Sequence, residues 1–257
     1  MEISPLTPNQ SIGPLLFDSY IIKELPSFDA LLNVYQQFRQ DHPEQSVIVT
    51  LDDLGQAEYT STHATMMHDL DNTEGYDLSG IDASAFENGE HIGYLSTPSE
   101  FFIRKENFIL QVKDIGFSDA CERGLTIEPS EIQVLEKIKK SPLDYLDKHI
   151  LVKIVPVSKS YEAICGFPNG YFSSDLDPFE NYAVAKHLYD NYGYEFFGIG
   201  ASLLGFIRNR PLEEQEAAAL VTDLIALYNS DESIYGSLLA LVKDSNYLIL
   251  KYTEYLN

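Results

Sequence analysis

The chain has 257 residues, 44% of them hydrophobic, and its 40 acidic against 17 basic residues give a formal net charge of -23. A chain of this length and composition folds into one large domain or two modest ones. The excess negative charge repels phosphates and anionic lipids, which argues against a direct DNA or RNA binder. A basic protein is the kind of partner that this charge attracts.

No stretch of the sequence has the pattern of an export signal or a membrane span. The first residues lack a cationic segment followed by an apolar core, and no window approaches about eighteen continuous apolar residues. Cys121 and Cys165 are the only cysteines, and their wide separation predicts reduced thiols and no disulfide framework. We therefore expect a cytoplasmic protein that does not interact with membranes.

The first half of the chain predicts an extended beginning followed by a helix and several strands. Residues 1–26 have little periodicity and predict an extended segment on the surface. Apolar residues from Phe28 to Phe38 recur at helical spacing after Ser27, and the β-branched run 47–51 predicts a buried strand. Three short apolar runs predict further strands over residues 92–94, 101–103 and 108–112.

The second half has the clearest local pattern, between residues 177 and 211. Asp177 is suited to cap a helix that begins at Pro178, and Gly193 supplies the left-handed residue that ends it. A hairpin of two strands, 195–199 and 203–209, follows. The remaining apolar patterns predict helices over 129–140, 212–228 and 234–243, and strands over 149–157 and 247–255.

Strands and helices do not alternate strictly along the chain, which bears on the fold class. We expect an α+β fold, with a mixed or antiparallel sheet and helices packed on its faces. We divide the chain into an acidic N-terminal α+β region, residues 1–145, and a C-terminal α+β domain, residues 146–257. The sequence does not fix this boundary, because the strand that begins at His149 could pair with strands of the first region.

Several short motifs within residues 150–257 follow the pattern of a known bacterial family. They are Ala185-Lys186-His187-Leu188, Tyr192-Gly193-Tyr194-Glu195, Arg210-Pro211, Glu216-Ala217-Ala218-Ala219-Leu220, Tyr228-Asn229-Ser230-Asp231 and Leu238-Leu239-Ala240. Through these motifs the segment resembles the family called domain of unknown function 4253. It differs where the family usually has Trp, at Leu188 and in the last strand.

The family name assigns no activity, so the resemblance implies no catalytic residue. Acidic α+β domains of this type, without an enzyme signature, resemble the immunity proteins of bacterial toxin systems. This likeness agrees with the partner that the charge predicts.

The stretch from Gln40 to Ile103 contains thirteen acidic residues and not one Lys or Arg. Residues 62–91 within it are polar and turn-rich, and they predict a loop with short helical pieces, partly docked on the protein. Acidic side chains interleaved with aromatic residues are typical of a surface that receives a basic partner. The predicted partner-binding residues are Asp69, Asp71, Glu74, Tyr76, Asp77, Asp82, Phe86, Glu87 and Glu90. The alternative is an acidic face that only keeps the protein solvated.

The residue sets that metal binding or catalysis require are incomplete. An EF-hand loop over residues 69–80 fails because Glu74 stands where glycine is needed and Gly80 where a bidentate Glu is needed. His63 and His68 do not share a helical face, as a zinc pair would. No GxSxG motif is present, and Gly198-Ile199-Gly200 lacks the third glycine of a dinucleotide fingerprint. We therefore expect no metal, no cofactor and no catalytic residue.

Together these patterns predict an immunity protein that binds and occludes a basic toxin effector domain, for which a nuclease is the class that best fits the charge. Two alternatives stay open. One is an enzyme or small-ligand-binding protein with a tyrosine-lined site in the C-terminal domain. The other is a nucleic-acid mimic that inhibits a host or phage protein.

Overall fold

The computed structural model describes residues 1–7, 9 and 13–256. Within these residues, seven strands form one sheet in the order β1-β2-β6-β3-β7-β8-β9, and β4 and β5 form a separate small hairpin. The strands are β1 (Glu2–Pro5), β2 (Ser19–Lys23), β3 (Ser46–Thr50), β4 (Phe86–Glu87), β5 (Glu90–His91), β6 (His149–Val155), β7 (Glu195–Ile199), β8 (Leu203–Ile207) and β9 (Tyr247–Lys251). The α-helices are α1 (Phe28–Asp41), α2 (Leu54–Met67), α3 (Phe101–Val112), α4 (Phe117–Glu122), α5 (Pro129–Lys140), α6 (Pro178–Tyr192), α7 (Glu214–Leu227) and α8 (Tyr235–Val242).

The large sheet is mixed. Strands β1, β2, β6 and β3 pair antiparallel, β3 pairs parallel with β7, and β7, β8 and β9 form an antiparallel meander. The predicted α+β class with a mixed sheet is therefore confirmed. Strand β6 lies between β2 and β3, so both parts of the chain contribute to the same sheet. The division near residue 145 consequently does not separate two sheets.

Helices α1 and α5 cover one face of the sheet. The Phe197 ring of β7 packs against Phe28 and Tyr35 of α1, with ring centroids 6.3 and 5.8 Å apart. Lys251 of β9 is fully buried on this face, and its ammonium donates to the Glu131 carboxylate of α5 at 2.7 Å. These contacts join the end of the sheet formed by the last part of the chain to helices from the first part.

The opposite face carries α2 and a 3-10 turn formed by residues 160–166. A Cβ at Gly166 would lie 2.9 Å from the Val155 methyl groups of β6, so glycine allows this turn to approach the sheet closely. Lys153 shares this face with Val155 because alternate residues of a strand point to the same side. This lysine lies beneath the polar side chains of α2, a placement that becomes important below.

The pattern around residues 177–211 is confirmed in detail. The Asp177 carboxylate accepts hydrogen bonds from the backbone N–H groups of Phe179 and Glu180, each at 2.9 Å, at the start of α6. Gly193 adopts φ 67° and ends the helix. The hairpin of β7 and β8 follows, and α1, α5, α7, α8, β3, β6 and β9 also lie where the sequence predicts them, within a few residues.

The three strands predicted over residues 92–112 are wrong. Residues 101–103 and 108–112 both belong to helix α3, and residues 92–94 follow β5 without forming a strand. Short apolar runs fit a helix as well as a strand when they recur at a helical interval. Four of the five buried positions of α3 are spaced by three or four residues and lie on one helical face: Phe101, Arg104, Phe108 and Val112. The fifth, Ile103, is buried outside this face.

Two other predicted segments are also corrected. Residues 1–26, predicted as an extended surface segment, contain β1 and the interior strand β2, although residues 8 and 10–12 lie outside the described part. The predicted loop 62–91 begins inside α2, which continues to Met67. Helix α2 buries Ala, Thr, Ser and Glu side chains, so it lacks the apolar stripe by which a helix is recognised in a sequence.

Candidate functional site

The predicted partner-binding residues lie on a surface segment that follows α2 and runs beside α3. The structure exposes the side chains of six of the predicted acids and half-buries Tyr76, Phe86 and Asp71. We call these six residues the acidic face: Asp69, Glu74, Asp77, Asp82, Glu87 and Glu90. Glu87 and Glu90 lie directly opposite each other in the β4–β5 hairpin.

Asp71 differs from the acids around it because its charge is matched within the protein. The Arg104 guanidinium of α3 donates from Nε and Nη2 to its two carboxylate oxygens, at 2.6 and 2.7 Å. The Arg104 side chain is only 9% exposed, so this fork-shaped pair is shielded from solvent. Asp71 therefore anchors the segment to α3, and the charge of Arg104 does not offset the acidic face.

Asn107 and Gln111 hold the same segment along α3. The Asn107 amide donates to the carbonyl oxygens of Leu70 and Asn72, at 3.0 and 2.8 Å, and its oxygen accepts from the Tyr76 hydroxyl at 2.9 Å. The Gln111 amide donates to the carbonyl of His68 at 2.8 Å. Arg104, Asn107 and Gln111 are spaced at helical intervals, so one face of α3 fixes the acidic segment. The sequence did not reveal this face because α3 was not predicted.

Local hydrogen bonds keep two carboxylates of the acidic face ionised. The backbone N–H of Ser79 donates to Asp77 and lowers the pKa of that carboxyl group. The backbone N–H and the hydroxyl of Ser84 donate to Asp82 and likewise lower its pKa. Hydrogen bonds to a charged carboxylate favour the charged form. Both groups are fully exposed, so their negative charge is presented to solvent.

Large apolar side chains are exposed on the same elements. Met66 and Met67 end α2 with 68% and 63% of their surface exposed, and Tyr94, which follows β5, is 59% exposed. On α3, Leu110 is 63% exposed and Phe102 39%. The Tyr76 ring meets the edge of Phe102 at a centroid distance of 5.9 Å. Protein-binding surfaces commonly contain exposed apolar side chains next to charged ones, as this surface does.

A cavity of about 220 Å³ lies on the α2 face of the sheet, and the sequence did not predict it. Lys153 of β6 is buried in its wall, beneath Glu58 and Ser61 of α2. Burial lowers the pKa of this lysine to about 8. A lysine within an apolar strand pattern gives no sequence signal of such a site, because its neighbours in space come from distant segments.

A second polar cluster joins helices α4, α6 and α7. The Asp223 carboxylate accepts from the Tyr192 hydroxyl and contacts His187 Nε2 at 2.7 Å, while the Asn191 amide lies 3.1 Å from His187 Nδ1. The ring of Phe117 stacks on the imidazole with a centroid distance of 3.9 Å. Both ring nitrogens of His187 therefore have hydrogen-bond partners within the protein. This arrangement fits a structural role between helices better than the role of a catalytic base.

The two cysteines are free thiols held in the protonated form. Burial raises the pKa of Cys165 to about 12. Burial and the nearby carboxylate of Asp223 also raise the pKa of Cys121. Because the thiolate is the nucleophile, neither position has the environment of a reactive cysteine.

Three further findings bear on function. Among residues 1–7, 9 and 13–256, no group of three or more His, Cys, Asp or Glu side chains is arranged to hold a metal ion. In the same part of the chain, no helix has the length and apolar character needed to cross a membrane. No family model matches the chain, and no curated protein or solved structure shows significant similarity to it.

Proposed function

We propose that this chain is an immunity-type protein that binds a basic toxin effector domain and occludes the surface with which that domain engages its substrate. The observation that carries the proposal is the acidic face: six exposed carboxylates on a segment whose first part, residues 68–76, is anchored to α3, with the nearby Arg104 already paired to Asp71. The resemblance of residues 150–257 to a bacterial domain family is compatible with this class of protein.

The anchoring of the acidic face supports a docking role. A loop that is ordered before binding loses less conformational entropy when a partner arrives. Asn107, Gln111 and Arg104 supply this order through hydrogen bonds to the segment between His68 and Tyr76. The backbone that carries Asp69 and Glu74 is therefore held in place before any partner is bound.

A nuclease domain is the toxin class that best fits this surface. Enzymes that act on nucleic acids bind a polyanion through Lys and Arg side chains, and phosphate contacts dominate that affinity. Carboxylates of the acidic face would occupy the positions of those phosphates and block substrate entry. Charge pairing would accelerate association, whereas the exposed apolar side chains Met66, Met67 and Tyr94 would bury surface and slow dissociation.

The test is a pull-down of the tagged protein from its native cells over a series of salt concentrations, with bound proteins identified by mass spectrometry. One variant replaces Asp69, Glu74, Glu87 and Glu90 with lysine. A matched control variant replaces four exposed acids elsewhere, Glu44, Asp114, Glu122 and Glu232, with lysine. Both variants change the net charge equally, so only the position of the charge differs between them.

We expect the wild-type protein and the control variant to retain one basic toxin domain at moderate salt, and the acidic-face variant to lose it. Equal retention by both variants would contradict the proposed interface. Recovery of many basic proteins that all dissociate together at moderate salt would indicate that the acidic face is only a solvated surface without a specific partner. Recovery of a host or phage nucleic-acid-binding protein would favour the nucleic-acid mimic in place of the immunity protein.

A further inference from the structure

The cavity beside Lys153 is enclosed by elements from both halves of the chain. Its floor is the face of β2 and β6 that carries Ser19 and Lys153, which pair across the two strands. Helix α2 covers this floor, and the aromatic rings of Phe17 and Phe167 also line the space. Met66 and Tyr94, both exposed, lie at its margin. The cavity thus combines polar side chains of α2 and the sheet with apolar side chains such as Phe17, Phe167 and Leu95, and small-molecule sites have this mixed composition.

Lys153 is the unusual feature of this cavity. Its side chain is 8% exposed, and it forms no hydrogen bond or ion pair with another described residue. Its contacts are with ring faces: the ammonium lies 4.8 Å from the centroid of Phe167 and 6.0 Å from that of Phe17. Lysine is almost never fully buried unless it is paired, because an ammonium loses much hydration free energy on burial. The aromatic faces compensate only part of that loss.

We propose that this cavity binds a small organic monocarboxylate, whose carboxylate pairs with Lys153 and whose apolar body lies between Phe17 and Phe167. The volume of about 220 Å³ corresponds to roughly seven water molecules at about 30 Å³ each, which is enough for one ring and a carboxylate. A ligand carboxylate supplies a direct ion pair, which no residue in the described part of the chain gives this ammonium at contact distance. This proposal does not rest on the proposed partner-binding function, although Met66 and Tyr94 belong to both surfaces.

The other charged groups at the cavity limit the ligand to a single negative charge. Glu58 of α2 faces the cavity and interacts electrostatically with Lys153, as does Arg104 of α3. The charge of Arg104 is matched by Asp71, so it adds little attraction for an anion. A dianion such as a phosphate monoester would be repelled by the Glu58 carboxylate. The two carboxylates and two cationic groups of the cavity already sum to zero charge. A monoanion therefore adds one negative charge where a dianion adds two, and Glu58 repels the monoanion less.

The experiment titrates the full-length protein with benzoate and follows binding by saturation-transfer NMR. Benzamide, which has the same shape and no charge, is the matched ligand control. Lys153→Met removes the ammonium and keeps an unbranched apolar side chain, and Lys148→Met is the matched protein control because Lys148 is exposed. Thermal unfolding of each variant shows that it is folded before the titration.

We expect wild-type protein and Lys148→Met to bind benzoate saturably, with a dissociation constant of ~1 mM or tighter, as is reasonable for a ligand of this size. Lys153→Met should weaken this binding at least about tenfold, the usual consequence of losing the partner of a buried charge. Because the ammonium form of Lys153 is required, wild-type affinity should fall about tenfold from pH 7 to pH 9, whereas any residual affinity of Lys153→Met should not follow this change. Equal binding of benzamide, unchanged binding by Lys153→Met, or no saturable binding of benzoate would each overturn the proposal.

Discussion

Replacing Asn107 with alanine tests whether helix α3 orders the acidic face. The substitution removes two hydrogen bonds to the carbonyls of Leu70 and Asn72 and one from the Tyr76 hydroxyl. Each such bond contributes about 0.5–1.5 kcal/mol net, and these are partly exposed, so they lie near the lower end of that range. We expect the free energy that holds segment 69–76 closed to fall by about 1–2 kcal/mol.

Native-state hydrogen exchange of the backbone amides in this segment measures that free energy directly. A loss of about 1.4 kcal/mol corresponds to roughly tenfold faster exchange at these amides, provided that they exchange through local opening. Asn33→Ala is the control, since Asn33 is exposed on α1 and the substitution changes only helix propensity there. Unchanged exchange in residues 69–76 of the Asn107 variant, or the same acceleration in the Asn33 variant, would refute the anchoring role.

Three further outcomes follow from the buried groups. Burial lowers the pKa of Lys153 from 10.5 to about 8, so between these pH values the folded state binds fewer protons than the unfolded state. The free energy of unfolding of the wild type, measured with urea, should therefore rise by about 3 kcal/mol from pH 8 to pH 10.5 relative to that of Lys153→Met. The same pH dependence in both proteins would contradict this expectation. A thiol reagent at pH 8 should modify the half-buried Cys121 and spare Cys165 until the protein unfolds, and early modification of Cys165 in the native protein would be inconsistent with its burial. Glu131→Gln leaves the buried Lys251 ammonium without its carboxylate and should cost about 3 kcal/mol in chemical denaturation, whereas a loss below ~1 kcal/mol would show that the ion pair is not important.

Local signals in the sequence were sufficient for most elements of the second half. Asp177, Pro178 and Gly193 fix the two ends of α6 through capping groups within a few residues of each end, and such signals need no knowledge of tertiary contacts. The predicted strands β7, β8 and β9 follow from continuous apolar runs that are buried on both faces of the sheet.

The errors fall where tertiary contacts override local pattern. Helix α2 buries Thr60 and Ser61, so its buried side is polar and does not resemble an amphipathic helix. The Thr60 hydroxyl is satisfied by its own helix and by Asn169, more than a hundred residues later. A sequence alone does not show which polar residues find such partners, because the pairing depends on the completed fold.

The same limit applies to the candidate sites. The acids of the acidic face are visible in the sequence as a stretch without Lys or Arg, and the structure shows six of them exposed. The pairing of Asp71 with Arg104 and the burial of Lys153 between segments far apart in the chain were not predictable from spacing. Charge composition was therefore informative about the surface, whereas the interior polar contacts required the structure.

The most direct test of the proposed partner binding is the association rate of the purified protein with the toxin domain that it captures, measured at several ionic strengths. We expect a fast wild-type rate that falls steeply with salt. The acidic-face variant, with lysine at Asp69, Glu74, Glu87 and Glu90, should associate at least ~10-fold more slowly at low salt, and its rate should depend little on salt. The control variant, with four other acids replaced, should have the association rate and salt dependence of the wild type. Equal rates and equal salt slopes for both variants would contradict docking through the acidic face.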